Sequence, residues 1–191
     1  MILQTPRLEL RKLTVDDYHD LAEILQDPET MYAYEGAFSD QEVQDWLDRQ
    51  LERYHRDGIG LWAAVLRNTN IMVGQVGLTY QPVPFSDGHT ENWVEIGYLL
   101  KRKYWHQGYA TEAALGCQKY AFEILHFDCV CSIIRDTNIS SQRVAQRGGM
   151  TVVHRFVKHY RGVIMPHLVY RITKEEYQAQ NCSGQNPVKS L

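Results

Sequence analysis

The sequence predicts an α/β (α+β) fold, with a mixed, mostly antiparallel sheet of six to seven strands flanked by helices. Three observations predict it. Apolar residues recur every second position in some segments and every third or fourth in others, in the order β-α-α-β-β-β-α-β-α-β-β. Strands therefore come in runs with helices between them, which suits a sheet covered on its faces. No internal repeat or low-complexity linker divides the 191 residues, a length that fits one domain. Residues 1–177 are expected to form that domain, and the polar stretch 178–191 a disordered tail.

The elements follow in order. Leu8 to Leu13 alternates apolar and polar residues, as a strand does. Thr14 is placed to cap a helix whose first turn holds Asp16 and Asp17 and whose apolar stripe is Leu21, Ile24 and Leu25, stopped by Asp27-Pro28. Ser39 with Glu42 three positions on has the form of a capping box, followed by Val43, Trp46, Leu47 and Leu51. Leu61–Leu66 and Ile71–Tyr80 read as a hairpin turning at Asn68-Thr69-Asn70. Gln81 to Thr90 carries Pro82, Pro84 and Gly88 and reads as a loop, with a strand after it from Glu91 to Leu100. Beyond a basic, aromatic connection, residues 110–125 have the strongest helical period in the chain. A strand at Phe127–Ile134, a short helix at Asn138–Arg147 ended by Gly148-Gly149, and strands at Thr151–Tyr160 and Ile164–Ile172 complete the pattern.

Composition narrows the function classes. A formal net charge of −3 gives no basic field for nucleic acid, so none is expected as partner. The four cysteines make no C-x-x-C pair or zinc-spaced Cys/His cluster, so no metal is expected and the thiols read as reduced. No apolar run approaches the ~20 residues of a membrane span, and the opening lacks a signal-peptide pattern. A cytoplasmic location is the expectation.

The segment from Glu91 to Leu125 carries the chemistry. A strand feeding a glycine turn that opens a helix forms an anion site, because the first helical N–H groups have no internal partner and the helix dipole is positive there. The N–H groups of Gln107, Gly108, Tyr109, Ala110 and Thr111 are candidates to converge on a pyrophosphate, with Lys101, Arg102 and Lys103 beside them. The plainer reading is a strand-to-helix turn next to solvated lysines. The competing nucleotide fingerprints, G-x-x-x-x-G-K-[ST] and G-x-G-x-x-G after a strand, are absent.

Glu95-Ile96-Gly97-Tyr98-Leu99-Leu100 followed by Gln107-Gly108-Tyr109-Ala110-Thr111-Glu112-Ala113 resembles the acetyl-CoA-binding core of the GNAT superfamily of N-acetyltransferases. Thr5 to Arg11, Val73 to Leu78, and Asn138-Ile139-Ser140-Ser141 with Arg143-Val144 and Gly149-Met150 extend the likeness to the branch of ribosomal-protein N-terminal alanine acetyltransferases. The resemblance covers about residues 5–173. It implies acetyl-CoA as cosubstrate, an amine acceptor (a protein N-terminus or a small-molecule amine), and a homodimer as an option. It also implies a catalytic role for Glu95 as base, pantetheine pairing with the backbone of Leu99 and Leu100, and a cofactor contact from Asn138.

Two departures qualify it. Trp105 stands where Arg or Gln is usual, with His106 where Gly is common, and Ala145 stands where many relatives carry the tyrosine that protonates the leaving thiolate. Ser141, one turn along from Asn138, is the substitute candidate for that proton, and it is also counted as a cofactor contact. His159, Tyr160 and His167 are weaker candidates for touching the acceptor, and Asp27, Glu29 and Glu35 for attracting a cationic amine; structural or solvated roles compete for each. The missing tyrosine also leaves room for a non-catalytic CoA-binding sensor.

Overall fold

The computed structural model describes residues 1–34, 36–160 and 162–183. Its eight strands form one sheet: β1 (Leu3–Gln4), β2 (Leu8–Lys12), β3 (Leu61–Leu66), β4 (Met72–Pro84), β5 (Thr90–Leu100), β6 (Cys129–Arg135), β7 (Thr151–Tyr160) and β8 (Val163–Thr173). The spatial order is β1-β2-β3-β4-β5-β6-β8-β7. Every neighbouring pair is antiparallel except β5–β6, which is parallel. The strand beyond the expected six to seven is the two-residue β1, too short to show a period.

Helices α1 (Tyr18–Leu25), α2 (Asp40–Arg56), α3 (Tyr109–Glu123), α4 (Ile139–Arg147) and α5 (Lys174–Ser183) flank the sheet. The start of α2 is the capping box read from the sequence: Glu42 N–H donates to Ser39 Oγ at 3.3 Å, and Ser39 N–H to Glu42 Oε2 at 2.8 Å. Ahead of α1, Thr14 is the N-cap, and Asp17 forms a capping box with it. The Asp17 carboxylate, gripped by both Arg11 guanidinium nitrogens at 2.7 Å, accepts from the Thr14 N–H at 2.8 Å. A 3₁₀ turn at Val15–Asp17 therefore precedes the α-helix.

Two expectations are corrected. The loop expected over Gln81–Thr90 is a hairpin, with β4 running to Pro84 and β5 starting at Thr90. Its prolines are tolerated because β3 ends opposite Gly77. Leu78 donates its N–H toward Gly60 and away from β5. By strand alternation Pro82 and Pro84 aim their missing N–H the same way, at an edge with no partner strand. The tail expected from Gln178 instead continues α5 to Ser183. Thr173 and Glu176 form a capping box for it, with bonds of 2.8 and 3.2 Å. Tyr177 packs on Phe122 with ring centroids 4.9 Å apart and donates its hydroxyl to Glu123 at 2.9 Å. Residues 184–191 lie outside the described residues.

The main core has Trp62, Phe122, Leu8, Leu10, Leu21, Ile24 and Leu78 among its fully buried members, and Val83, Cys131 and Val169 form a smaller separate cluster. Cys117 and Cys131 are buried and unbridged. Phe122→Ala should cost roughly 3–5 kcal/mol in urea unfolding, because it opens a cavity at the α3–α5 contact. Ser39→Ala should cost only about 1 kcal/mol, the worth of one cap.

Candidate active site

The parallel pair β5–β6 is in ladder register at a single position, Glu95 opposite Cys131. Beyond it the strands part, and the wedge between them opens into a cleft of about 1440 Å³. Lys101 N–H donates to Val73 O, so alternate residues Leu99 and Gly97 also turn their backbone groups toward β4. Ile96, Tyr98 and Leu100 turn theirs into the wedge. Two of those carbonyls are already engaged: Ile96 O by Ser132 Oγ at 2.9 Å, and Leu100 O by Trp105 Nε1 at 2.9 Å. The N–H and C=O of Tyr98 and the N–H of Leu100 face the cleft without a ladder partner among the described residues.

Side-chain alternation divides the cleft in two. Glu95, Gly97 and Leu99 share the face covered by α2, whose Trp46 Nε1 donates to Gln75 Oε1 at 2.9 Å; Gln75 lies directly opposite Leu99. Tyr98 points to the other face, where its hydroxyl donates to Ser141 O of α4 at 3.0 Å. Glu95 is half-buried and accepts the Ile133 N–H at 3.1 Å. Burial raises its pKa above the ordinary carboxylate value; the charge of Lys158, the Ile133 N–H and the charge of Arg53 oppose this without cancelling it.

On the α3–α4 side, Gly108 is the N-cap of α3 with φ +84°, a left-handed conformation that favours glycine. A Cβ there would come within 3.3 Å of the Arg7 guanidinium. His106 holds φ +59° in the same turn. The turn is pinned by Gln107 Nε2 to Lys103 O at 2.9 Å and by Arg7 Nη1 to Gln107 O at 2.9 Å. The first-turn N–H groups of α3, from Tyr109 to Thr111, lie at the cleft with the positive end of the helix dipole.

The cleft brings together Glu95, Leu99, Leu100, Gln107, Gly108, Tyr109, Ala110, Thr111, Asn138 and Ser141. It does not include Lys101. That side chain is buried and ion-paired with Asp20 and, at 2.8 Å, with Glu23 of α1; the expected cofactor contact is a structural pair. Leu99 contributes its side chain, while its backbone pairs with Gln75, so the free strand edge belongs to Tyr98 and Leu100. Asn138 caps α4 by accepting the Ser141 N–H at 3.1 Å. His159 and His167 line the cleft, and His167 is buried with its ring 2.9 Å from Met165 O. Asp27 and Glu29 do not line it; Arg102 pairs with both, at 3.7 and 2.6 Å. Glu35 lies outside the described residues, as does the side chain of Tyr160.

Several lining residues were not singled out from the sequence. Arg143 and Arg147 of α4 line the cleft, and Arg147 Nη1 lies 3.4 Å from Thr111 Oγ1. Arg49 and Arg53 of α2 and Lys158 of β7 line the Glu95 side. Their spacing on α2, one helical turn apart, was the available signal. Among the described residues no group of three or more His, Cys, Asp or Glu is arranged to hold a metal. No helix among them is long and apolar enough to cross a membrane.

Comparison with known proteins gives a consistent result. The acetyltransferase (GNAT) domain family matches residues 7–151. An FsC-acetyl coenzyme A-N(2)-transacetylase of Aspergillus fumigatus is 29 % identical over 187 residues, covering 92 % of this chain and 77 % of that protein. An acetyltransferase (GNAT family) structure from Bacillus anthracis superposes with a TM-score of 0.77 at 24 % identity, covering 92 % of this chain and 99 % of that one. A structure of RimL, a ribosomal L7/L12 alpha-N-protein acetyltransferase in complex with coenzyme A, superposes at 0.73 with 16 % identity, covering 90 % and 97 %.

The α3 turn is tied to the chain's first strands through Glu112. Its carboxylate accepts Thr5 Oγ1 at 2.6 Å, Arg7 N–H at 2.7 Å and Arg7 Nε at 2.6 Å. Burial alone would raise its pKa, but the bonds from Thr5 and Arg7 outweigh it and hold the carboxyl below its ordinary value. A depressed pKa stabilises the fold above the unfolded-state value, and the contribution is lost as pH falls through the folded one. Glu112→Gln should therefore lower stability at neutral pH by about 1 kcal/mol and flatten its loss between neutral and acid pH, read from urea midpoints across pH.

Proposed function

Because the chain belongs to the GNAT acetyltransferase family, we propose that it is an acetyl-CoA-dependent N-acyltransferase that transfers the acetyl group to a primary amine by direct attack on the thioester. One observation carries this reading: the β5–β6 wedge opens a half-buried carboxylate, an unpaired strand edge and a helix N-terminus onto the same cleft. The helix N-terminus and the strand edge match two parts of the donor, and the carboxylate suits the acceptor amine. The α3 N-terminus from Gln107 to Thr111, with Arg147 and Arg143 beside it, suits a pyrophosphate. The backbone of Tyr98 and Leu100 suits the amide-bearing pantetheine arm. Asn138 and Ser141 would flank the same arm from α4.

A thioester supplies an already activated acyl group, so alignment of the reactants provides much of the acceleration. Glu95 takes the proton that the amine must lose, directly or through a water. The amine nitrogen then bonds to the carbonyl carbon and the carbon–sulfur bond breaks. The Leu100 N–H is the strand-end donor that would polarise the carbonyl oxygen. The nitrogen sheds its remaining surplus proton after the C–N bond forms, and Ser141 Oγ relays a proton to the thiolate while regaining one from that nitrogen through water, the role that Ala145, buried in the core, leaves vacant. The acceptor of the Aspergillus relative and that of RimL belong to those proteins; for this chain both a protein N-terminus and a small amine fit the reading.

A base works only when deprotonated, so turnover should rise with pH through a pKa lifted by burial. Glu95→Gln should lower kcat by about 10²–10⁴-fold and remove that rise, with acetyl-CoA affinity nearly unchanged, in a thiol-release assay. Identical pH profiles would exclude Glu95 as base. Ser141→Ala should lose less, and unaltered kinetics would assign proton return to water. Gly108→Ala should raise the KM for acetyl-CoA by forcing a side chain into a left-handed turn.

A further inference from the structure

The acceptor side of the cleft carries an unexpected charge balance. Among the described residues the carboxylate lining this side is Glu95, which feels the charges of Arg53 of α2 and Lys158 of β7, and Arg49 of α2 lines the same cleft. Among the described residues none of these three cations forms an ion pair. Arg49 lies over the Trp46 ring at 5.6 Å, Lys158 over Phe156 at 5.6 Å, and Arg53 Nη1 reaches only the neutral Gln50 Oε1 at 3.3 Å. Arg53 is half-buried, which makes a guanidinium without a carboxylate at ion-pair distance more costly there than on an open surface. Among the described residues, Asp27 and Glu29, the other acids expected near the acceptor, do not make up the difference, because Arg102 holds both away from the cleft.

Such a field repels a second positive charge and favours a negative one. A polyamine or other polycation would add its ammonium groups to a site where three cations face the one carboxylate, Glu95, seen among the described residues. An amine that brings its own carboxylate supplies the missing partner, and places its nitrogen toward Glu95 while the carboxylate lies toward α2.

We infer that the amine accepted at this site bears a carboxylate, held by Arg53 and Arg49 with Lys158 facing them, so that the acceptor is an α-amino acid or a close derivative rather than a polycation. This rests on the acetyltransferase reading and specifies its acceptor. Trp46 and Phe38, packed edge-to-face at 5.9 Å on the same side, give the rest of that molecule an apolar wall. The guanidiniums give the carboxylate charge-assisted hydrogen bonds, which an amide in its place would lack.

The test uses the CoA-loaded protein and matched product pairs: N-acetyl-L-phenylalanine, N-acetyl-L-methionine and N-acetyl-L-glutamate, each against its α-amide, titrated by calorimetry. At least one acid should bind about 10- to 100-fold tighter than its amide, the scale of a hydrogen bond to a charged group. Arg53→Gln should erase that preference while leaving CoA affinity intact, and Arg49→Gln, at an exposed position where folding is not at stake, should reduce it. Equal binding within every pair, or no binding of any member while CoA binds normally, overturns the inference and leaves the acetyltransferase reading standing. Failure of CoA itself to bind removes that reading, and this inference with it.

Discussion

The site depends on one constraint: β5 and β6 run parallel yet bridge only at Glu95 and Cys131. A longer ladder would satisfy the strand edges with each other and leave no opening. Because the strands part, the backbone groups of Ile96, Tyr98 and Leu100 must find partners elsewhere, as buried polar groups that stay unmatched are costly. Ser132 and Trp105 take two of the carbonyls. The remainder border open space at the cleft. The cost of parting is offset by the long pairing on the outer sides, where β4–β5 stays in register from Gly74–Leu100 to Pro84–Thr90 and β6–β8 from Cys129–Thr173 to Arg135–His167. Two well-paired half-sheets therefore hold a poorly paired seam between them.

The seam sorts chemistry by face. Pleat alternation sends Glu95 toward α2 and Tyr98 toward α4, so the carboxylate and the α3 N-terminus reach one cleft from opposite sides of the sheet. Electrostatics follows the same division. Arg143 and Arg147 reinforce the positive end of α3, while Arg49, Arg53 and Lys158 surround Glu95. Cations near a carboxylate ordinarily depress its pKa, and here burial outweighs them. Glu95 thus holds a raised pKa although cations stand near it.

Much of this was legible in the sequence. Ser39 and Glu42, Gly108, and the apolar period of α3 each state their local structure without help from the rest of the chain, and the order of strands and helices follows from such signals. What stayed hidden required tertiary context. Pro82 and Pro84 suggest a loop until it is known that β3 ends before them. Thr173 and Glu176 do form a readable capping box, but the polar composition beyond Tyr177 masks the helix it starts. Lys101 sits in a basic run that reads as an anion contact, whereas the strand end turns its side chain beneath α1, where Asp20 and Glu23 await it. The cations of α2 look like a solvated helix face in the sequence; only the fold sets them opposite β5.

The residues that depart from the family's pattern fit the same backbone by different means. Trp105 surrenders a side-chain contact to phosphate, yet its indole N–H satisfies the Leu100 carbonyl left bare by the seam. His106 adopts a left-handed conformation that glycine would hold without strain. The turn tolerates it because Arg7, Gln107 and Glu112 fix it from three directions, so local strain is overruled by the surrounding bonds. Ala145 is buried against the core, where a tyrosine would need room that the α3–α4 packing does not offer. The space near the sheet is instead bridged by Tyr98, whose hydroxyl is spent on the Ser141 carbonyl and so locks α4 to β5. With that phenol committed to holding the helix in place, Tyr98 is not free to take the role of the missing tyrosine, while Ser141 lines the cleft from α4.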